Sequence, residues 1–211
     1  MQQNILHDIR QASLPCILGE RDIVHTKDLN KIFASVWISS TQVIFSTKCK
    51  NIVVYDTVTG RKTYIPVISK PFDKDAESQS GGIHTIQINP SKTLLATGSM
   101  NSHDIVIYSL PHLEPLHYID AHKDWLFSLQ WISDSILSSC SRDKTIALWS
   151  ISRWSFQQLA RTETHSKKVR SIAYNRRHKI LSSISADGTF KLWDVNTLGN
   201  VRFDISGLGF V

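Results

Sequence analysis

The feature that most constrains this chain is a stretch that occurs twice. Residues 122–149 read HKDWLFSLQWISDSILSSCSRDKTIALW, and residues 165–193 read HSKKVRSIAYNRRHKILSSISADGTFKLW. His122 lies 27 positions before Trp149 and His165 lies 28 before Trp193; in both, an aspartate (Asp143, Asp187) stands six before the tryptophan. Each copy holds short β-type runs bounded by polar turns such as Arg142-Asp143-Lys144. Matched internal offsets of this kind predict a repeat array, in which each unit buries its faces against its neighbours instead of closing a core of its own.

The same rhythm extends upstream. IFASVW (32–37), QVIFSTK (42–48) and NIVVYD (51–56) repeat the order of the three runs, with TYIPVI (63–68) as a fourth, and IHTIQIN (83–89), TLLATGS (93–99) and DIVIYSL (104–110) form another unit. The aromatics closing the third runs are Tyr55, Tyr108, Trp149 and Trp193, at intervals of 53, 41 and 44. The long first interval contains SKPFDKDAESQSGG (69–82), a polar, aperiodic segment expected to be an exposed loop. Units of about 40–45 residues with four short strands predict the blades of a β-propeller. The His…Asp…Trp grammar, ending on Trp193-Asp194, resembles the WD repeat.

The expected fold class is therefore all-β: an incomplete WD-repeat β-propeller of about four blades, near 30–68, 82–118, 119–160 and 163–205, within residues 25–211. A ring of this type usually needs about seven blades to remove its open edges, so the pattern reads as a truncated ring. Residues 1–24 are expected to form a short N-terminal helical lead-in. Ile5, Ile9 and Ala12 share one helical face, and Ser13-Leu14-Pro15 marks a break before a second short turn.

The repeat explains its own histidines. A histidine in the loop leading into a blade can bond a hydroxyl on the second strand (Ser139 or Ser141; Ser183 or Ser185), the turn aspartate and, through these, the indole N–H. His122, Asp143, Trp149, His165, Asp187 and Trp193 are thus expected to be structural tetrads. The chain holds no GxSxG, P-loop, HExxH or paired-carboxylate pattern, so no enzyme and no cofactor are expected. Three cysteines (Cys16, Cys49, Cys140) without a CxxC pair signal neither a disulfide framework nor a metal site, and suit a cytoplasmic and/or nuclear compartment. No apolar run approaches the roughly 18 residues of a membrane span.

Charge is the remaining clue. The net charge is +6, and the 41% hydrophobic content with six tryptophans is ample for a core. Lys48 lies seven before Tyr55 and Arg142 seven before Trp149, so they share one turn slot, held by Ala186 in the fourth unit. Aligning the first strands on Trp37, Ile88, Trp131 and Tyr174 puts Lys31 and Lys168 in one slot, and His84 and Arg170 in another. Lys31, Lys48, Arg142, Lys168 and Arg170 are therefore expected at one mouth of the channel, with Lys123, Lys167 and His84 nearby. Clustered cations repel one another unless an acidic ligand is present, and arginine can grip a carboxylate bidentately. Aromatic residues interleaved with the cations are not evident in the linear pattern, which disfavours a nucleic-acid partner.

Several strings go beyond the generic repeat: SLPCILGERDI, LNKIFASVWI, STKCK, GGIHTIQINPSKTLLATG, HKDWLFSLQWISD, SRDKT and KVRSIAYN. Together they resemble the WD-repeat substrate receptors of cullin-four RING ubiquitin ligases, in the damaged-DNA-binding-protein-one and cullin-four associated factor twelve subfamily. The resemblance implies a non-catalytic receptor whose N-terminal helical motif and one propeller face dock on the ligase's propeller adaptor. Its opposite mouth would capture substrates with acidic, Glu-Glu type C-termini. The degron-binding positions of the subfamily fall on Lys31, Lys48, Arg142, Lys168 and Arg170. Two departures stand out: the sequence reads Trp193-Asp194-Val195-Asn196, without the WD-x-Arg ending of many adaptor-binding receptors, and Trp149 is followed by Ser150. The alternative is a plain WD-repeat scaffold of another protein complex.

Overall fold

The computed structural model describes residues 31–49, 51–65, 82–99, 104–163 and 165–196. The helical lead-in at 1–24 and, apart from Gly82, the loop at 69–82 lie outside them. The described residues form fifteen strands in four antiparallel sheets, each a meander in chain order. Sheet 1 comprises β1 (Ile32–Trp37), β2 (Gln42–Thr47), β3 (Ile52–Asp56) and β4 (Lys62–Ile65). Sheet 2 comprises β5 (Ile83–Ile88), β6 (Leu94–Ser99), β7 (Asp104–Ser109) and β8 (Pro115–Asp120). Sheet 3 comprises β9 (Leu126–Trp131), β10 (Ile136–Ser141), β11 (Ile146–Ile151) and β12 (Phe156–Thr162), and sheet 4 comprises β13 (Val169–Asn175), β14 (Ile180–Ser185) and β15 (Phe190–Asp194). This is an incomplete all-β propeller. A fourth strand of the last blade would fall beyond residue 196, outside the described residues.

The strands are short because turn chemistry interrupts the apolar runs. Asp56 accepts from the N–H groups of Val58 and Thr59, and Asn89 accepts from those of Thr93 and Leu94, so each side chain closes its turn in place of backbone partners. The sheets are apolar on both faces and stack. The core is therefore a series of seams: Ile44, Ile52 and Val54 of sheet 1 against Ile83, Ile86 and Leu95 of sheet 2; Ala96, Ile105 and Ile107 of sheet 2 against Leu126, Leu129 and Trp131 of sheet 3; Cys140 and Ile146 of sheet 3 against Val169, Ile172 and Trp193 of sheet 4. Fully burying side chains of this size is worth about 1.5–3 kcal/mol each. The contacts leave no room for larger residues: a Cβ on Gly98 would strike the Leu126 side chain, and one on Gly82 would strike the backbone of Thr47 and Lys48.

The first strands lie side by side in the order β1, β5, β9, β13. Each carries one irregularity near its start, where the pairing with the second strand skips a residue: Phe33, His84, Phe127 and Arg170 in turn. Such a bulge re-aims the skipped side chain. It puts these four residues in one structural slot at the same end of neighbouring strands.

Candidate functional site

The predicted cations sit at that end. One backbone hydrogen bond recurs where the loop leading into a blade meets the turn between its second and third strands: Lys48 N–H to Lys31 C=O (2.7 Å), Arg142 N–H to Trp125 C=O (2.8 Å) and Ala186 N–H to Lys168 C=O (3.0 Å). Lys31, Trp125 and Lys168 are therefore equivalent, as are Lys48, Arg142 and Ala186. Arg170 is an exposed bulge residue two positions beyond Lys168.

Two features of this rim went unread in the sequence. First, aromatics do interleave with the cations, which corrects the expectation drawn from the linear pattern. Phe33 stacks on His84 with ring centroids 4.0 Å apart, the Arg170 guanidinium lies 4.9 Å over the Phe127 ring, and that of Arg142 lies 4.7 Å over Trp125. Phe33, His84, Phe127 and Arg170 are the bulge set, so the bulge is the signal that would have found them. Secondly, Arg142 has an acidic neighbour. Its Nε is 3.6 Å from Asp124 Oδ2, with both side chains partly exposed. Asp124 is itself fixed, since its carbonyl accepts from Ser141 Oγ (2.8 Å) and its Oδ1 from the Trp125 N–H (2.8 Å). Arg142 is thus held over an indole by a pairing at Nε, which leaves the two terminal nitrogens as the guanidinium edge facing away from Asp124. Burial pushes the His84 imidazole below its usual range, so it is neutral at pH 7 and adds no charge.

The six tetrad positions lie deeper. Trp149 Nε1–H donates to Ser139 Oγ (2.8 Å), Ser139 bonds His122 Nε2 (2.7 Å), and His122 Nδ1 meets Asp143 Oδ2 (3.0 Å). Sheet 4 repeats the relay from Trp193 through Ser183 (2.8 Å) and His165 Nε2 (2.8 Å) to Asp187 (3.2 Å). The Ser139 and Ser183 oxygens accept from the indole N–H, and each histidine Nδ1 faces a carboxylate, so each imidazole carries its proton on Nδ1 and accepts from the serine hydroxyl at Nε2. Thr145 and Thr189, which stand outside the His, Asp, Trp pattern, hydrogen-bond both the histidine Nδ1 and the aspartate of their own blade. Burial opposes ionisation of Asp143, but hydrogen bonds from His122, Thr145 and the Lys123 N–H outweigh it and hold the carboxyl well below the usual range. Burial also pushes His165 down, with Asp187 pulling the other way.

Arg161 on β12 joins the first relay from outside the repeat grammar. It donates to Thr145 Oγ1 (3.0 Å) and to the Ala121 carbonyl, and stands 3.7 Å from Asp143. Beside it an open cleft of about 420 Å³ is lined by Asp120, Lys123, Asp143, Arg161 and Glu163 among others. Asp143 and Arg161 are engaged with the relay, and among the described residues no set of His, Cys, Asp and Glu is arranged to hold a metal ion.

A family profile described as "DDB1- and CUL4-associated factor 12 beta propeller" matches residues 14–164, well over half of the chain. The chain belongs to this family. A second profile, the WD domain G-beta repeat, matches residues 156–194, so a WD repeat covers the fourth sheet. Among curated proteins, telomerase protein component 1 of Mus musculus is 28% identical over 136 residues, covering 62% of this chain and 5% of that protein. Its counterpart in Rattus norvegicus is 29% identical over 129 residues, covering 59% and 5%. This factor-12 type chain thus spans a small fraction of the curated relatives it matches. The solved structure of U3-55K superposes with a TM-score of 0.67 at 20% identity, covering 86% of this chain and 53% of that one, a likeness of fold alone. WD-repeat propellers of these families are generally non-catalytic.

Proposed function

We propose that this chain is a substrate-recognition subunit of a cullin-four RING ubiquitin ligase, and that its basic rim takes up acidic C-termini of the Glu-Glu type. The observation that carries the reading is the preparation of two arginines at that rim. Arg142 and Arg170 each lie on an aromatic face, so a carboxylate ligand would not have to freeze two long, floppy side chains. A C-terminal Glu-Glu offers three carboxylates to Lys31, Lys48, Arg142, Lys168 and Arg170. The family's name points to an adaptor of cullin-four as the second partner, which would dock away from this mouth. A cytoplasmic and/or nuclear location follows from that role.

A nucleic-acid reading gains from the interleaved aromatics but loses on their faces. Phe33 is stacked by His84, Phe127 by Arg170 and Trp125 by Arg142, so the rings serve as platforms for their neighbours before any base arrives.

The test is fluorescence anisotropy with peptides ending in Glu-Glu, the same peptides amidated, and peptides ending in Lys-Lys. Binding of the free acidic end should exceed both controls by at least about tenfold, and Arg170→Glu should remove the difference. Equal affinity for all three leaves the plain scaffold; preference for a single-stranded oligonucleotide with a steep salt dependence would favour nucleic acid instead.

A further inference from the structure

Sheets 3 and 4 present opposite charges from one backbone slot at the rim. The serine that ends the second strand bonds the carbonyl of that slot in both: Ser141 Oγ to Asp124 C=O (2.8 Å) and Ser185 Oγ to Lys167 C=O (3.0 Å). The residue that follows is equivalent too, since Trp125 C=O accepts from the Arg142 N–H and Lys168 C=O from the Ala186 N–H. Sheet 3 thus places a carboxylate where sheet 4 places an ammonium. The carboxylate has one orientation, because its Oδ1 takes the Trp125 N–H (2.8 Å) and this leaves Oδ2 to face Arg142 Nε (3.6 Å). The two side chains are 37% and 47% exposed, and ion pairs in solvent contribute little to stability. The charge of Asp124 is felt instead by whatever Arg142 binds.

We propose that Asp124 is a specificity-determining residue of the rim, a fixed carboxylate that turns the Arg142 subsite toward singly charged carboxylate ends and away from phosphorylated ones. The inference rests on the acidic-end reading above and adds to it which acidic ends are accepted. A ring of lysines and arginines by itself favours the more highly charged anion. Asp124 works against that bias. An anion on the terminal nitrogens of Arg142 would lie within roughly 8 Å of the Asp124 carboxylate, which is about the screening length at physiological salt. The repulsion grows with the ligand's charge. A phosphomonoester carries about −1.5 to −2 at pH 7 against −1 for a carboxylate, so Asp124 penalises it nearly twice as heavily. Trp125 has a separate part: its ring lies under the guanidinium at 4.7 Å and limits the motion of Arg142 without adding charge.

The test is a set of anisotropy titrations on the full 211-residue chain with one peptide ending in Glu-Glu, in Glu-phosphoserine or in Glu-Ser. Asp124→Asn keeps an oxygen for the Trp125 N–H and removes the charge. It should tighten the phosphoserine peptide relative to Glu-Glu by at least about threefold at low salt, and the shift should fade as salt approaches about 0.5 M. A ratio that stays put, or a shift that ignores salt, overturns the proposal. Trp125→Leu should weaken both peptides alike. A ratio shift there as large as that of Asp124→Asn would assign the preference to the freedom of Arg142 and overturn the proposal as well. The two readings fail separately. If the unaltered chain does not distinguish Glu-Glu from its amide, the acidic-end reading falls and this inference with it; if it does and the Asp124→Asn ratio stands still, only this inference falls.

Discussion

Sheets 3 and 4 carry the same Trp, Ser, His, Asp relay, and among the described residues sheet 3 alone has a fourth strand that reaches into it. There Arg161 comes from β12 to Thr145 and Asp143, and its guanidinium lies 5.8 Å from the Trp149 ring. In sheet 4 the described residues stop at β15. Lys191 takes the slot of Ala147 and sets a cation near His165. The relay is therefore a local unit that a blade makes from its first three strands, and a fourth strand adds an external countercharge for the aspartate.

The largest expected effect breaks the relay at its aspartate. Asp143 accepts from His122, the Thr145 hydroxyl, and the N–H groups of Lys123 and Thr145, and faces Arg161. Asp143→Ala leaves these donors without an acceptor and should cost about 2–3 kcal/mol, lowering the thermal midpoint by about 5–10 °C. Asp187→Ala should cost less, because among the described residues no arginine is left facing the gap. Arg161→Met in the Asp143→Ala background should narrow the difference, since the uncompensated cation goes with it. Equal losses for the two aspartates by differential scanning calorimetry would mean that Arg161 contributes nothing to the relay.

A smaller effect depends on pH and lies in sheet 4. His165 is neutral in the fold and its folded pKa lies below the unfolded value, chiefly through burial. Below the unfolded value near 6.5 the unfolded chain binds the extra proton, so this contribution is fully present above that pH and is lost as pH falls toward the folded value. Lys191 opposes protonation of His165 as well. Lys191→Ala should raise the folded pKa of His165 and flatten the loss of stability between pH 7 and 5. Urea midpoints across that range, with and without the substitution, measure it; parallel curves would show that Lys191 is too well solvated to act.

Much of this was legible in the sequence because the repeat is local. His, Asp and Trp recur at fixed offsets, and strand alternation with turn residues gave all four sheets. What escaped depended on register. Ser139 and Ser141 lie on the same face of β10, so alternation could not choose between them. The structure bonds Ser139 to His122 and Trp149, and gives Ser141 to the Asp124 carbonyl and the Asp143 N–H. Phe33 and Phe127 reach the rim only because a bulge shifts them out of strict alternation. Arg161 could not be read at all: its partners Thr145 and Ala121 lie 16 and 40 residues away, joined to it by pairing that no spacing rule encodes.

The smallest effect tests whether the two relays tolerate their turns equally. Lys144 and Gly188 hold the same slot after the aspartate, and both adopt the left-handed conformation, at φ 72° and 81°. Each N–H closes the same turn, to Ser141 C=O (3.3 Å) and Ser185 C=O (3.2 Å). A side chain there strains the backbone, so Lys144→Gly should relieve strain, partly offset by the greater freedom glycine gives the unfolded chain, for a net gain of about 0.5 kcal/mol. The reverse change, Gly188→Lys, meets no atom within 4 Å of the new Cβ, so its cost isolates the backbone term at about 1 kcal/mol. If the two changes are equal and opposite, the turns are interchangeable and Arg161 acts on the aspartate alone. If Lys144→Gly instead destabilises the chain, then Arg161 and Thr145 hold the sheet 3 turn in a shape that already fits a side chain, and the fourth strand sets the turn's backbone as well as its charge.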